Sequence, residues 1–397
     1  MTWERFRPMA RTRYAVAGLA LSIGTVLMGS GLLSSLMGVR SKTAGISAGV
    51  MGVAMAMFYA GFVAGIPAMT KVHELLSRRS LFVLCTLFMA AGSLGYGLMV
   101  NAVAWLVLRF VTGFCTAGCY LVVETWLNDI AHNEIRGKVM GTYVAVAAAG
   151  MAAGQLVLSV VNPSSWVPFG IAGAIGAFAF APLFTVKVGG EQRHHPADTV
   201  SLAQMARMVP SGIVGFVLVG VTQGCLLQMA AVYAARADLS SSQVALFVGA
   251  ITTGAVALQF PIGALGDRIS RRGVMVALCV MTSAVCVLMA NVSPHSAVSF
   301  VLAFALGGFS APLYALGNAY TNDWIPPHQR LAASRALLST YSIGAVFGPL
   351  LAAAAMSIFG TVGFLWALLA SHAALAVFMS YRVVVAPDRA FTPLTVG

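Results

Sequence analysis

The sequence predicts an all-α membrane protein with twelve transmembrane helices. Hydrophobic residues make up 59% of the 397 positions and charged residues only 9%, which is more apolar surface than one soluble core can bury. The charges are concentrated in short stretches. The segments between these stretches are about 20 residues long, the length that an α-helix needs to cross a bilayer.

The first six helices are predicted before residue 187. The first follows a basic N-terminus that could imitate a secretory signal, but it is longer than a signal core and lacks a convincing cleavage site. We therefore expect it to be retained. The other five are separated by charged or polar connections. The predicted ranges are 14–39, 44–69, 80–100, 103–128, 138–161 and 166–186.

The second six helices follow the longest polar connection, which we interpret as a linker between two six-helix bundles. The predicted organisation is therefore an N-terminal bundle at 1–188, a cytoplasmic linker at 189–208 and a C-terminal bundle at 209–397. The helices of the second bundle are predicted at 209–234, 242–265, 274–290, 296–320, 334–359 and 362–381.

The positive charges alternate between the two sides of these spans. Of the 23 lysines and arginines, all but Arg40, Lys42, Arg109 and Arg236 fall at the termini or in loops on the side of the N-terminus. Cytoplasmic loops carry such an excess, so we expect a bacterial inner-membrane protein with both termini in the cytoplasm. The net charge of +12 then reflects the orientation of the chain in the membrane, and we expect no nucleic-acid partner.

An internal repeat relates the two halves. Two stretches match at nearly the same offset, which is difficult to obtain by chance. At an offset of 194, Tyr120, Glu124, Asn128, Asp129, Arg136, Gly150 and Gly154 correspond to Tyr314, Asn318, Asn322, Asp323, Arg330, Gly344 and Gly348. At an offset of 193, Glu74, Ser77, Arg78 and Arg79 correspond to Asp267, Ser270, Arg271 and Arg272.

Several motifs resemble those of the major facilitator superfamily. The loop from Gly263 to Gly273, which reads GALGDRISRRG, is similar to the cytoplasmic signature loop, and the RFVTG run from Arg109 to Gly113 resembles the motif of helix four. The stretches ETWLN, NEIRG and GQL, at 124–128, 133–137 and 154–156, resemble the YcaD-like branch. The resemblance implies the major facilitator fold, with a solute site between two bundles.

The sequence departs from this family pattern at two places. Thr70 and Glu74 stand where the first signature loop would have its glycine and aspartate. Gln155 follows Gly154, so the antiporter-type Gly-Pro of helix five is absent, which weakens the inference of proton-coupled export.

The loop charges are the predicted gating residues. The resemblance implies that Glu124 closes a cytoplasmic latch with Arg136, Arg78 or Arg79, and that Asp267 does so with Arg330 and Arg335. A charge pair present in one state biases the conformational equilibrium. The alternative is that these loop charges only anchor the membrane topology. For Glu124, a further alternative is that it carries a coupling proton. The predicted gating set is Glu74, Arg78, Arg79, Glu124, Arg136, Asp267, Arg271 and Arg330.

Polar side chains within the spans form the predicted substrate pathway. Arg109 either faces the pathway, where it would hold an anionic group of the solute or tune a proton site, or packs between helices. Each glutamine is either a solute contact or a hydrogen bond between helices. As a set they predict a largely neutral cavity lined by aromatic residues. The set is Thr25, Tyr59, Arg109, Tyr143, Gln223, Thr252, Gln259, Tyr314 and Tyr341.

The predicted function is secondary or facilitative transport of a small organic solute. We weigh uptake of a metabolite or vitamin, such as a riboflavin-like aromatic solute, against proton-coupled efflux of a drug or metabolite. A membrane sensor or assembly factor that transports nothing is the alternative from another class. Phosphate loops, metal clusters and nucleophile triads are not evident, so we expect no enzyme activity and no cofactor. The six cysteines are interpreted as packing residues, and we expect a monomer.

Overall fold

The computed structural model describes residues 6–130, 136–186, 210–325 and 330–385, and nearly all of them are helical. We number the long helices in chain order. In the first half they are α1 (Phe6–Thr43), α2 (Ala48–Leu75), α3 (Arg78–Leu98), α4 (Ala102–Ile130), α5 (Arg136–Val157) and α6 (Val167–Phe178). Short 3-10 turns at Leu158–Val160 and Ala181–Thr185 follow α5 and α6.

The second half repeats this order. It comprises α7 (Pro210–Arg236), α8 (Ser241–Arg268), α9 (Arg271–Ala290), α10a (Ala297–Ser310), α10b (Pro312–Asn322), α11 (Arg330–Phe359) and α12 (Gly363–Val385). A 3-10 turn at Gly360–Val362 joins α11 to α12, and Gly360 has a φ of 68°, a conformation that glycine adopts without strain.

These helices confirm the predicted spans. Eleven stretches of the described residues are long and apolar enough to cross a membrane. The last stretch, Ala336–Arg382, includes both α11 and α12, because only the short 3-10 turn separates them. The twelve predicted spans are therefore present, with shifted boundaries. The sixth is shorter as an α-helix than predicted, since α6 ends at Phe178 and a 3-10 turn follows.

The chain separates into two compact units. The first consists of Met1–Ile46, Met57–Arg193 and Ser240–Ala245, and the second of Ser47–Ala56, His194–Leu239 and Leu246–Gly397. The predicted linker at 189–208 lies outside the described residues, so the bundle boundaries stay a prediction.

Helix packing inside each unit follows one scheme. In the first unit α1 packs against α5 and α6, and α3 packs against α4 and α6. In the second unit α7 packs against α11 and α12, and α9 packs against α10a and α12. Each helix pair of the second unit corresponds to a pair of the first unit whose helix numbers are lower by six. The internal repeat predicts this arrangement.

Local features repeat as well. Ser77 and Ser270 cap α3 and α9 by accepting a hydrogen bond from the backbone N–H three residues later. Pro67 and Pro261 lie at matching positions inside α2 and α8 without ending either helix. The two units therefore share turn chemistry in addition to topology.

Glycine allows the closest helix contacts. A Cβ atom added to Gly113 of α4 would lie 1.9 Å from the backbone oxygen of Phe58 on α2. At the equivalent position, a Cβ on Gly307 of α10a would lie 1.9 Å from the backbone oxygen of Ile251 on α8. Small residues let backbones approach in membranes, where apolar burial gives little driving force between helices.

Candidate functional site

Ion pairs lie at those helix ends that the sequence predicts to face the cytoplasm. In the first unit Arg78 Nη1 lies 2.5 Å from Asp129 Oδ2 and joins the start of α3 to the end of α4. Arg78 is 6% exposed at its side chain and Asp129 31%, so the pair is partly shielded from water. The next residue, Arg79, donates to the backbone oxygen of Val186 at 2.6 Å.

The second unit contains the equivalent contacts. Arg271 of α9 bonds to Asp323, after α10b, and also to Asp267 Oδ1 of α8 at 2.9 Å. Its neighbour Arg272 donates to the backbone oxygen of Arg382 at 3.1 Å and bonds to the hydroxyl of Tyr320. In each unit two consecutive arginines thus connect the start of the third helix to the end of the fourth helix and to the end of the sixth span.

The two networks differ at one carboxylate. Asp267 belongs to the network of the second unit, whereas Glu74, its predicted counterpart in the first, is exposed at the end of α2. The predicted partners Arg136 and Arg330 begin α5 and α11, but their side chains lie outside the described residues, as does that of Arg335. Their gating roles stay predictions.

Glu124 of α4 forms a separate contact with α5. Its carboxylate is half-buried and accepts a hydrogen bond from the hydroxyl of Tyr143 on α5 at 3.3 Å. Arg78 and Arg79, predicted as partners of Glu124, bond to Asp129 and Val186 instead. The repeat-related residue of the second unit, Asn318, accepts from Asn322 at 3.1 Å and from Ser334 at 3.4 Å.

Arg109 lies inside the first unit. Its side chain is buried, and its guanidinium carbon is 5.3 Å from the centre of the Phe58 ring, a cation–π arrangement. A small cavity beside it is also lined by Ser30, Ser93 and Thr112. The water-accessible volume of the cavity is about 20 Å³, which suits a single water molecule. The role of Arg109 in a solute pathway stays a prediction.

A buried polar network occupies the second unit. Gln223 Nε2 of α7 donates to the backbone oxygen of Ser310 at 2.6 Å and to its hydroxyl at 3.2 Å. The Ser310 hydroxyl lies 3.0 Å from Nε2 of His372 on α12, and His372 Nδ1 donates to the backbone oxygen of Leu368 at 2.8 Å. With Nδ1 protonated, Nε2 accepts from Ser310, so neutral histidine satisfies the network.

This network lies where the tenth span is interrupted. Pro312 begins α10b, and the N–H of Tyr314 bonds to the oxygen of Ala311 instead of Ser310. The oxygen of Ser310 therefore lacks its usual partner in the helix, and the amide of Gln223 supplies one. Gln223, predicted as a pathway residue, stabilises the helix break.

Aromatic side chains of the predicted pathway contact one another in the second unit. Tyr314 of α10b meets Tyr341 of α11 edge to face at 5.0 Å, and meets Phe216 of α7 at 5.4 Å. Both tyrosines are half-buried. In the first unit Tyr59 is also half-buried and meets Phe58 at 5.5 Å. The remaining predicted pathway residues are Thr25 and Gln259, both half-buried, and Thr252, which is buried.

Sequence reasoning missed several members of these networks, among them Arg272 and Tyr320. Asp129 and Asp323 appeared in the internal repeat but were not predicted as gating residues, although their matching positions were the available signal. Ser310 and His372 carried no such signal, because only the structure shows that α10a and α12 bring them together. Among the described residues, no group of three or more His, Cys, Asp or Glu side chains has the arrangement of a metal site.

Comparison with known proteins decides the family. The Major Facilitator Superfamily model matches residues 19–251 and 212–395, which together span nearly the whole chain. The chain belongs to the major facilitator superfamily. Its membership also means that it is a membrane transporter rather than an enzyme, and that it works in the inner membrane on a small-molecule solute.

Relatives place this major facilitator transporter in the YcaD-like branch. The chain is 26% identical over 347 residues to the MFS-type transporter YfkF of Bacillus subtilis, covering 86% of this chain and 88% of the relative. It is 28% identical to the MFS-type transporter Ent638_1421 of Enterobacter, covering 75% and 78%, and 26% identical to YcaD of Escherichia coli, with the same coverage. All three are described as uncharacterized.

Solved structures share the fold. A point mutant of the nucleoside transporter NupG aligns with a TM-score of 0.77 at 14% identity, covering 92% of this chain and 99% of that chain. A bacterial homologue of the lysosomal transporter Spinster aligns with a TM-score of 0.72 at 17% identity, covering 94% and 96%. At these identities the likeness shows the fold alone.

Proposed function

We propose that this transporter moves a small, largely neutral organic solute with an aromatic ring system by alternating access. The contact between Tyr314 and Tyr341 carries the proposal. These half-buried rings come from two helices, and rings in this setting offer faces and edges for stacking on a planar solute. Their hydroxyl groups can hydrogen-bond to the same solute. Riboflavin and nucleosides have this chemistry, and NupG, with the same fold, is a nucleoside transporter.

The distribution of charge supports a neutral solute. Arg109 is the one cation among the predicted pathway residues, and its cavity is the size of a water molecule. The described carboxylates other than Glu124 lie at helix ends or in a loop, where they bond to arginines or face water. A strongly charged solute would need an opposite charge in its site, because burying an unpaired charge costs several kcal/mol.

A binding assay tests the solute class. Purified protein is heated with riboflavin, adenosine, a sugar, an amino acid or a cationic drug, and the unfolding midpoint is recorded. A ligand that binds the folded state at 100 times its Kd stabilises it by about 2.7 kcal/mol. We expect riboflavin or adenosine to raise the midpoint. If only charged compounds raise it, the proposal is wrong.

Two tyrosine variants make the assay specific. Tyr341→Ala removes the ring that meets Tyr314, and we expect it to abolish the ligand-induced shift. Tyr381→Ala is the matched control, because Tyr381 is 59% exposed near the end of α12, and it should retain the full shift. Uptake of the stabilising compound into proteoliposomes, loaded on either side, then distinguishes import from efflux and from a sensor that binds without transport.

A further inference from the structure

Arg109 places a positive charge inside the first unit, far from the carboxylates of the helices around it. Its side chain is buried, and the cavity beside it is lined by residues of α1, α2, α3, α4 and α6. Of these helices, α1, α3 and α6 contain no aspartate or glutamate. Glu124 of α4 follows Arg109 by 15 residues, and Glu74 of α2 follows Phe58 by 16 residues. At 1.5 Å per residue both are more than about 20 Å away along the helix axis.

The groups beside Arg109 are neutral. Its guanidinium lies over the ring of Phe58, and the titratable groups near it are the hydroxyls of Tyr59 on α2 and Tyr96 on α3, which are uncharged at physiological pH. Hydrogen bonds to neutral groups engage the donors of a guanidinium but do not cancel its charge. Because a guanidinium has five N–H donors, it can keep such bonds and still bind an anion. A buried charge without a countercharge is costly, so an anion at this place would be stabilising.

The cavity has room for a small anion. Its water-accessible volume of about 20 Å³ exceeds the roughly 10–15 Å³ that a single water requires. Gly176 of α6 lines it and is buried, yet a Cβ atom added there would have no atom of a neighbouring helix within 4 Å. The hydroxyl groups of Ser30, Ser93 and Thr112 also line the cavity. A monatomic anion slightly larger than water fits this space, whereas an organic solute does not.

The internal repeat shows that the cation is particular to the first unit. Ala303 of α10a occupies the position of Arg109 at the offset of 194. The second unit packs its helices in the same scheme with a methyl group there. The shared fold therefore does not itself require a guanidinium at this position, and a ligand specific to the first unit would explain it.

We propose that the cavity beside Arg109 binds a small inorganic anion, chloride under physiological conditions, with the guanidinium as its countercharge. The proposal goes beyond the transported solute and does not depend on it, because the cavity is too small for a ring system. The bound anion neutralises a charge that five helices surround. It therefore stabilises the folded first unit, and the stability of the protein depends on the chloride concentration.

The first test is a comparison of salts. Thermal unfolding of the purified protein is recorded while sodium chloride replaces sodium gluconate at constant ionic strength, so that screening of surface charges does not change. Gluconate is too large for the cavity. We expect the unfolding midpoint to rise with chloride and to saturate, as for any ligand that binds the folded state, and we expect bromide to replace chloride. Equal midpoints in chloride and gluconate would overturn the proposal.

A charge variant locates the ion. Arg109→Gln removes the cation, so its midpoint should no longer depend on chloride. Lys71→Gln is the control, because it removes an exposed cation from α2, and it should keep the native dependence. If Arg109→Gln responds to chloride as the native protein does, the ion binds elsewhere and the assignment is wrong.

A cavity variant tests the same site while keeping the guanidinium. The side chain of Gly176→Val would occupy the space that the anion needs, so this variant should also lose the chloride dependence. Gly141→Val is the matched control, since Gly141 is exposed on α5 and nothing lies within 4 Å of its added Cβ. Crystals of the native protein soaked in bromide should show an anomalous peak beside Arg109. A peak only at other places, or a native chloride response in Gly176→Val, would contradict the proposal.

Discussion

Replacing Gly154 by alanine should weaken the contact between α1 and α5. A Cβ atom at this position would lie 1.9 Å from the backbone oxygen of Met28, and the backbone nitrogen of Leu32 would be 3.0 Å away. Neither atom can rotate aside as a side chain can. The helices would have to separate by roughly 1.5 Å to reach an ordinary contact of about 3.4 Å. Overpacking of this kind costs about 1–3 kcal/mol.

Gly141→Ala is the matched control on the same helix. Gly141 is exposed, and nothing lies within 4 Å of the position that its Cβ would take. Alanine is favoured over glycine in a helix by about 0.5–1 kcal/mol, so this variant should be slightly more stable than the native protein. Gly154→Ala gains the same helix propensity, but its methyl group overlaps the backbone of α1. The free energies of unfolding of the two variants should therefore differ by about 1–3 kcal/mol.

Denaturant unfolding in mixed micelles measures the difference, with retention of a native-like chromatographic profile as the check that each variant folds. Gly348→Ala provides an independent repeat in the second unit, since its Cβ would lie 2.3 Å from the backbone nitrogen of Cys225. Equal stabilities of Gly154→Ala and Gly141→Ala would refute the reasoning, because helix propensity alone would then explain both.

Three further predictions concern the polar networks and the thiols. A double-mutant cycle on Arg78→Gln and Asp129→Asn should give a coupling energy of about 1–3 kcal/mol in denaturant unfolding, since the pair is partly buried. The equivalent pair, Arg271 and Asp323, is more exposed, at 22% and 56%, and its coupling energy should be less than about 1 kcal/mol. A larger coupling energy for this pair than for Arg78 and Asp129 would contradict the reasoning. Gln223→Ala should cost about 1–3 kcal/mol in the same assay by leaving the oxygen of Ser310 without its donor, and an unchanged stability would show that another group replaces the amide. All six cysteines are buried, so maleimide should label the folded protein slowly and the denatured protein fully, and rapid labelling before denaturation would disagree with the structure.

The spans were predictable because bilayer thickness fixes their length and hydrocarbon excludes charge. The interruption between α10a and α10b was not predictable from the sequence. Pro312 follows it, yet Pro67, Pro261 and Pro349 lie inside helices that continue. A proline removes one backbone donor in every case, and whether the helix breaks depends on which neighbouring groups satisfy the freed carbonyl. At this break the oxygen of Ser310 also lacks its usual helical donor, the N–H of Tyr314, and the amide of Gln223, 87 positions earlier in the chain, bonds to it.

The candidate site was also predictable only in part. Matching positions in the repeat correctly indicated that the two arginine pairs, at 78–79 and 271–272, are equivalent. They did not indicate partners, because Glu124 and Asp129 lie five residues apart on α4 and only the placement of α3 decides which one an arginine reaches. No sequence pattern indicates a role for His372 either, since its partner Ser310 is 62 positions away.

Differences between the two units therefore carry more functional information than their similarities. The arginine contacts to a helix-end aspartate and to a backbone oxygen recur in both, so they follow from building each unit and need no link to a particular solute. Glu124 and Asn318 share a position but not a charge, and Arg109 has Ala303 as its counterpart at the offset of 194. The second unit has the same helix packing with an amide and a methyl group at these positions, so the shared fold does not itself require a carboxylate and a guanidinium there. They are the two positions at which substitution should alter transport more than it alters stability.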